Sequence, residues 1–197
     1  MTRHQERPGG RARRTSRWAI LAALAWTSTN PGAGTAAEPL VPAPVQATMA
    51  VRILEYDRAL RTWSGGRLTI GVVARHAGAA AEFEQALAGR DAQGVPIKVA
   101  AHAYKDADSL RTWLERSSVG LLYLAPDAAA ESAAAVAVAS ARKVPVLVAS
   151  RAQFQDGATV ALVVRDGKPH IMVNLGASRA AGMDLDPKLL QLSEVVR

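Results

Sequence analysis

The sequence contains no cysteine in 197 residues. A chain without cysteine can form no disulfide bond and cannot respond to oxidation through thiols. Its stability must therefore come from buried apolar side chains, and a single domain of roughly 150 residues is large enough for that. Disulfide scaffolds and thiol-based redox switches are excluded.

The motifs that mark common enzymes and metal sites are also missing. The sequence has neither HExxH nor GxSxG, and no pair of histidines at metal-ligand spacing. After the first predicted strand, a single glycine, Gly78, stands where a dinucleotide-binding fold needs three. No nucleophile or general base has an evident partner. We therefore expect a protein without enzymatic activity, cofactor or bound metal.

Long hydrophobic runs are absent as well. The apolar run Trp18–Trp26 is about half as long as a membrane-spanning helix, and no later segment reaches that length without a charge. This run follows the basic stretch RARRTSR and precedes TSTNPGAGTAA, which is the order of a signal peptide. The sequence predicts a signal peptide over residues 1–37, removal after Ala37, and a periplasmic protein without a permanent membrane anchor.

Two alternatives to this interpretation of the leader stay open. The pair Arg13–Arg14 leaves the twin-arginine route beside the Sec route. A cytosolic, disordered basic arm is the alternative to export, although such arms rarely place an apolar block directly after the basic one.

The positive charge of the chain is concentrated in the leader. Six of the 24 Lys and Arg residues and one of the 17 acidic residues lie there, so the leader carries +5 of the net +7 and the remainder carries +2. A nucleic-acid-binding domain would need a basic face on the folded part of the chain. We therefore expect no nucleic-acid partner.

The segment after the leader divides into a short linker and one domain. Residues 38–44, EPLVPAP, predict a Pro-rich linker, and residues 45–197 predict a single domain. Between residues 46 and 63, apolar residues at steps of three and four predict one helix, with an inward face formed by Met49, Ile53, Tyr56, Leu60 and Trp63. The opposite face carries Arg52, Glu55 and Arg58, and the helix serves either as core contact or as a partner-binding surface.

From residue 67 onward, strand patterns alternate with helix patterns. Predicted strands cover residues 67–75, 95–104, 119–125 and 144–150, with helices between them. Such alternation forms right-handed βαβ units and a parallel sheet. Lys98 and His102 give the second strand a polar side and place it at an edge. We expect an α/β three-layer sandwich with strand order 2-1-3-4 and helices on both faces.

The last 39 residues complete this sheet. Residues 159–165 and 169–175 predict an antiparallel hairpin that turns at Asp166–Gly167 and extends the sheet. Asn174 is predicted to hold the turn into a short helix through its amide. A final helix capped by Asp186 is predicted to turn one stripe inward, formed by Leu185, Leu189, Leu192 and Val196.

The fold also predicts where a ligand would bind. In open α/β sheets, ligands bind at the carboxyl ends of strands where the strand order reverses, here between the first and third predicted strands. Four residues would line that crevice: Arg75, His76, Pro126 and Asp127. Arg75 could hold an anion. The alternative is that these are ordinary loop residues.

The carboxyl-terminal segment resembles the YfiR/HmsC-like family of exported proteins, whose members close with a strand, an Ala-x-x-Ala-Gly segment and a Leu-rich helix. Seven residues match that pattern, and Ser193 departs from it: Asn174, Ala177, Ala181, Gly182, Leu189, Leu190 and Leu192. The stretch ILEYDRALRTWSGGRLTIGVV is similar to a family branch in which Tyr-Asp-Arg precedes the first strand. The resemblance covers the whole predicted domain.

The resemblance implies a regulatory role. Characterised family members act without catalysis, as periplasmic repressors that bind an inner-membrane diguanylate cyclase and restrain cyclic-di-GMP synthesis. The cysteines that provide redox control in the best-known member are missing here, so that property is not transferred. Two interpretations stay open: a regulatory protein that binds a membrane signalling protein, and a small solute-binding module that uses the strand-end crevice. Formation of a homodimer is also left open.

Overall fold

The computed structural model describes residues 39–197. The predicted signal peptide and its cleavage site lie outside the described residues. The described chain alternates helices and strands. The helices are α1 (Ala43–Glu55), α2 (Leu60–Ser64), α3 (Ala77–Leu87), α4 (Ala107–Ser117), α5 (Ser132–Ser140), α6 (Arg151–Gln155), α7 (Leu175–Ala180) and α8 (Pro187–Gln191). The strands are β1 (Leu68–Ala74), β2 (Asp91–Ala92), β3 (Val95–Ala103), β4 (Leu121–Leu124), β5 (Val146–Val148), β6 (Val160–Arg165), β7 (Lys168–Asn174) and β8 (Glu194–Val196).

These strands form one eight-stranded sheet in the order β2-β3-β1-β4-β5-β6-β7-β8. Four pairs from β3 to β6 are parallel, as is the pair of β7 with β8. The pairs β2–β3 and β6–β7 are antiparallel. The predicted α/β class, the order of the first four predicted strands and the hairpin are confirmed. The structure adds a short strand at each edge, β2 and β8.

Helices cover both faces of the sheet. One hydrophobic cluster joins α1 and α3 to the first face, where Phe83 and Leu54 are fully buried. The second cluster joins α4 and α5 to the other face, where Leu110 is fully buried. Strand β4 contributes to both clusters, since Tyr123 points to the first and Leu122 to the second. This alternation is what a strand covered on both sides requires.

Two predicted helices are wrong in part. The helix expected from residue 46 to residue 63 starts at Ala43, inside the predicted linker, and ends at Glu55, with α2 following as a separate turn. Tyr56, predicted to face inward, is 36% exposed. The chain breaks there because the Asp57 carboxylate accepts a hydrogen bond from the Ala59 N–H and so competes with helical pairing.

The final predicted helix is also shorter than expected. Leu185 and Leu189 are buried as predicted, but α8 ends at Gln191 and the chain continues as β8. Leu192 is 70% exposed and Val196 is 41% exposed, so both were wrongly assigned to the inward stripe. Pairing with the free edge of β7 satisfies the backbone of residues 194–196 in place of helical hydrogen bonds.

Candidate functional site

The four residues assigned to the predicted crevice lie on two neighbouring loops at the carboxyl ends of β1 and β4. Arg75 and His76 directly follow β1, while Pro126 and Asp127 begin a 3₁₀ turn, Pro126–Glu131, after β4. The Asp127 carboxylate accepts the His76 backbone N–H at 2.9 Å and lies 3.1 Å from the His76 Nδ1 atom. The parallel pairing of β1 and β4 brings the two loops together.

Arg75 in this crevice already has an anionic partner. Its Nε–H donates to Glu131 at 3.0 Å, and its terminal N–H groups donate to the second carboxylate oxygen. The hydrogen bonds and the charge of Glu131 raise the pKa of Arg75 above its usual value. An anionic ligand would compete with Glu131 for this guanidinium. Ligand binding by Arg75 therefore stays a prediction.

Asp127 has one unused acceptor. Its Oδ1 atom is buried and has no hydrogen-bond partner among residues 39–197. The other oxygen receives the His76 N–H. An unpartnered buried oxygen costs free energy that a donor group on a bound solute would recover. Asp127 thus keeps a buried acceptor that the described residues do not use.

The second predicted set, Arg52, Glu55 and Arg58, lies on an exposed surface at the end of α1. Arg52 and Glu55 are one helical turn apart and form an ion pair at 2.7 Å. Arg58 lies beyond the helix, on the corner that leads into α2, and pairs with Asp184 at 2.7 Å. Exposed pairs of this kind contribute little to stability because both charges remain solvated. Whether a partner binds here stays a prediction.

Asp57, at the centre of the same corner, is fully buried. Its Oδ1 atom accepts the backbone N–H groups of Ala59 at 3.0 Å and Asp184 at 2.9 Å. Its Oδ2 atom accepts the Trp63 Nε1–H at 2.7 Å. A buried carboxylate requires such donors because it has lost its hydration. Asp57 therefore ties α1, α2 and the carboxyl-terminal segment together.

Gln93 completes this corner from the β2–β3 turn. Its amide nitrogen lies 2.7 Å from the Asp57 carbonyl oxygen, and 3.0 Å and 3.2 Å from the Leu54 and Glu55 carbonyl oxygens. These carbonyls lie at the end of α1 and just beyond it, and those of Leu54 and Asp57 also accept the backbone N–H groups of Asp57 and Leu60 at 3.1 Å. Gln93 holds a positive φ of 55°, and the Arg61 guanidinium donates to its carbonyl oxygen. No sequence signal identified this glutamine, because such turns usually carry Asn, Asp or Gly.

The carboxyl-terminal segment fixes the corner from the opposite side. Arg58 N–H donates to the Asp184 carbonyl at 2.9 Å, and Asp186 N–H donates to the Tyr56 carbonyl at 2.8 Å. Asp57 and Leu185 form an isolated antiparallel bridge. The backbone is therefore hydrogen-bonded at Tyr56 and at Arg58, the two neighbours of Asp57, while the side chains of Tyr56 and Arg58 are exposed. We call the exposed set Arg52, Glu55, Tyr56 and Arg58 the corner surface.

The described residues form neither a metal-binding cluster nor a membrane span. Within residues 39–197, no three His, Asp or Glu side chains cluster closely enough to hold a metal ion. None of the helices in the described part of the chain is both long and apolar enough to cross a bilayer.

Several solved structures share this fold at low sequence identity. A conserved domain protein from Vibrio cholerae O1 biovar El Tor has 14% identity and a TM-score of 0.58, covering 79% of this chain and 60% of that one. An ABC domain in complex with L-Trp from Streptococcus pneumoniae has 12% identity and a TM-score of 0.56, covering 75% and 62%. A ligand-free, open substrate-binding protein with adhesive properties from Clostridium difficile has 16% identity and a TM-score of 0.50, covering 71% and 57%.

The chain thus spans about three fifths of the length of these structures. No curated protein matches it. A family profile does match, over residues 44–194. This range includes strands β1 to β7, the first residue of β8, the four predicted crevice residues and the corner surface. Because this match covers most of the chain, including the sheet and the Tyr-Asp-Arg corner, the chain belongs to the YfiR/HmsC-like family.

Proposed function

We propose that this protein is a non-enzymatic periplasmic regulator that binds the extracytoplasmic domain of an inner-membrane signalling protein, with a diguanylate cyclase as the first candidate. The family supports a regulatory role. The observation that carries the proposal is the corner surface, in which exposed Tyr and Arg side chains stand on the backbone that Asp57 holds. Tyr and Arg are enriched among the residues that dominate binding energy at protein interfaces.

The backbone under this surface is already ordered before any partner arrives. Asp57, Gln93 and the bridge to Leu185 fix the corner with hydrogen bonds from three separate segments. Binding then requires the ordering of side chains but not of a loop, which lowers the entropic cost of association. The Arg52 and Arg58 ion pairs are exposed and can be exchanged for pairs with a partner.

Export is the second part of the proposal. We infer that residues 1–37 direct the protein out of the cytoplasm and are removed, because a basic segment, an apolar run and small residues follow one another there. Amino-terminal sequencing of the protein purified from cells should begin near Glu38. Material that begins at Met1 and fractionates with the cytoplasm would refute export.

Photo-crosslinking tests the proposed partner binding. A photoreactive phenylalanine analogue at Tyr56 should capture a membrane protein through its extracytoplasmic domain in the source cells. The same analogue at Gln85, exposed on α3, should not capture it. The captured domain, purified, should then bind the full chain directly.

Charge reversal provides the matched comparison. The double substitution Arg52→Glu and Arg58→Glu should weaken binding of that domain by about tenfold or more, since charges at an interface set encounter rate and specificity. The control, Arg67→Glu with Arg90→Glu, makes the same charge change at two exposed arginines that are not part of the corner surface. Equal loss in both double variants would show a non-specific charge effect and would refute the corner surface.

Solute binding in the crevice is the second candidate function. Two of the similar folds are described as an ABC domain in complex with L-Trp and a substrate-binding protein, and Asp127 keeps an unpartnered oxygen. Calorimetry with L-Trp as the probe tests this alternative. Binding to the wild type that is lost in Asp127→Ala, with unchanged thermal stability, would favour solute binding. An absence of heat in both proteins would leave the regulatory proposal in place.

A further inference from the structure

The outer edge of β3 carries backbone groups that have no partner. Hydrogen-bonding groups alternate in direction along a strand, and Tyr104 N–H donates inward to the Ala74 carbonyl of β1. The odd-numbered residues of β3 therefore point outward. Strand β2 pairs with Val95 and Pro96, and Ile97 N–H donates to the Arg90 carbonyl. Beyond that point, three outward residues have no backbone partner in the described part of the chain: Val99, Ala101 and Ala103.

This edge is also sterically open. Ala101 and Ala103 are exposed, and neither carries a side chain large enough to shield the backbone. Natural proteins usually protect edge strands with charges, prolines, bulges or a covering element, because a free edge is a template for another strand. Pro96 and Lys98 provide such protection only at the beginning of β3. The five residues from 99 to 103 remain available.

A groove runs beside the same edge, on the α4 side of the sheet. Its volume is about 460 Å³, and it is lined by His102, Ser109, Thr112, Trp113, Arg116 and Ser117. The His102 ring stacks on the Trp113 indole with centroids 4.8 Å apart. The indole can lie this close to the sheet because β1 has Gly71 below it, where a Cβ atom would be 2.7 Å from the indole. The groove therefore has a fixed aromatic wall.

Two cations, Arg116 and Lys98, lie on the side of the sheet that carries this groove. Arg116 lines the groove. Lys98 lies on the same face of β3 as His102, because residues 98, 100 and 102 alternate with those on the other face. Neither cation forms an ion pair with a described residue. The nearby carboxylates of Asp106 and Asp108 are occupied by the Ser109 N–H and by Arg111. Arg116 and Lys98 are therefore available to pair with acidic side chains of a segment bound along β3.

We infer that the edge of β3 at residues 99–103, with the groove beside α4, binds an acidic extended segment of a partner protein as an added β-strand. Backbone pairing would supply affinity, and alternate side chains of the segment would enter the groove, where a carboxylate reaches Arg116. A second copy of this chain fits less well, since antiparallel β3–β3 pairing brings Lys98 and Arg116 of both copies to the same seam. This inference stands independently of the corner surface.

The test uses the full chain and a library of displayed seven-residue peptides. Ala101→Pro removes the outward N–H but no ladder bond of the sheet, since that N–H points away from β1, and edge strands tolerate proline at such positions. Ala101→Val is its matched control, because it keeps the N–H with a β-branched side chain. Arg116→Glu tests the charge preference. Circular dichroism checks that each variant stays folded.

Selected peptides should be rich in Asp and Glu at alternate positions. Their binding should fall at least tenfold in Ala101→Pro and Arg116→Glu and stay within about twofold in Ala101→Val. The amides of Val99, Ala101 and Ala103 should become protected from hydrogen exchange when a selected peptide binds. Three results would overturn the inference: no selected peptide that depends on Ala101, selection of basic peptides, or a wild-type dimer that Ala101→Pro converts to a monomer.

Discussion

Asp57→Asn changes one atom in the framework under the corner surface, and its cost follows from the hydrogen bonds of the carboxylate. If the asparagine oxygen takes the Oδ1 position, it still accepts the Ala59 and Asp184 N–H groups. Its NH₂ group then faces the Trp63 indole N–H, so two donors oppose each other where a 2.7 Å hydrogen bond stood. The opposite rotamer loses two backbone hydrogen bonds in place of one.

The magnitude is set by the bond that is lost. A hydrogen bond to a carboxylate contributes roughly 1.5–3 kcal/mol, and an opposed donor adds a desolvation penalty. We expect Asp57→Asn to lower the free energy of unfolding by about 2–3 kcal/mol. Equilibrium urea denaturation of the full chain, followed by far-ultraviolet circular dichroism, measures this loss.

A double-mutant cycle with Trp63→Phe isolates the contact. Trp63→Phe removes the indole N–H together with some packing against Gly120, and the packing loss cancels in the cycle. With phenylalanine at position 63, the asparagine NH₂ no longer faces a donor, so the double variant should lose at least about 1 kcal/mol less than the sum of the single variants. Additive losses, within about 0.5 kcal/mol, would refute the assigned role of Asp57.

Three further predictions concern the scaffold. Tyr123→Phe leaves the Oε1 atom of the buried Gln46 without its donor at 2.7 Å, so the free energy of unfolding should fall by about 1–2 kcal/mol in urea denaturation. Asn174→Ala removes the cap on the Ala177 N–H and should cost about 1 kcal/mol in thermal unfolding, whereas Asn174→Asp should retain most of it. Burial lowers the pKa of His102, so below about pH 6.5 the unfolded state takes up a proton that the folded state resists. Stability should therefore fall between pH 7.5 and 5.5 more steeply in the wild type than in His102→Gln, as urea midpoints at both values will show.

The central sheet could be predicted because its determinants are local. Apolar runs such as residues 119–125 and 144–150 must be buried on both faces, and the helices between them force right-handed crossovers. Strand β8 was not predicted, because it has only three residues and its pairing depends on the free edge of β7. The local sequence pattern after Asp186 was equally compatible with a helix that continues to the end of the chain.

The break after α1 could not be predicted from local patterns. Periodicity continued through Tyr56, but the partner that stabilises the break, Asp184, is 127 residues away from Asp57. In the crevice, the strand order correctly brought Arg75 and Asp127 to one place. The charge of Arg75 is paired with that of Glu131, which lies 56 residues away in the sequence. Residue spacing does not predict an ion pair at such a separation.

The Tyr-Asp-Arg stretch at the corner divides two roles between adjacent residues. The side chain of Asp57 turns into the protein, and those of Tyr56 and Arg58 stay exposed, because the chain at this corner is not helical. A substitution at Asp57 would therefore weaken partner binding by displacing its neighbours, even if the carboxylate never touches a partner. Only variants such as Arg58→Glu, which leave the three hydrogen bonds of Asp57 intact, can separate recognition from scaffolding. If Arg58→Glu retains full affinity while Asp57→Asn loses it in proportion to lost stability, the corner is a structural element and the partner binds elsewhere.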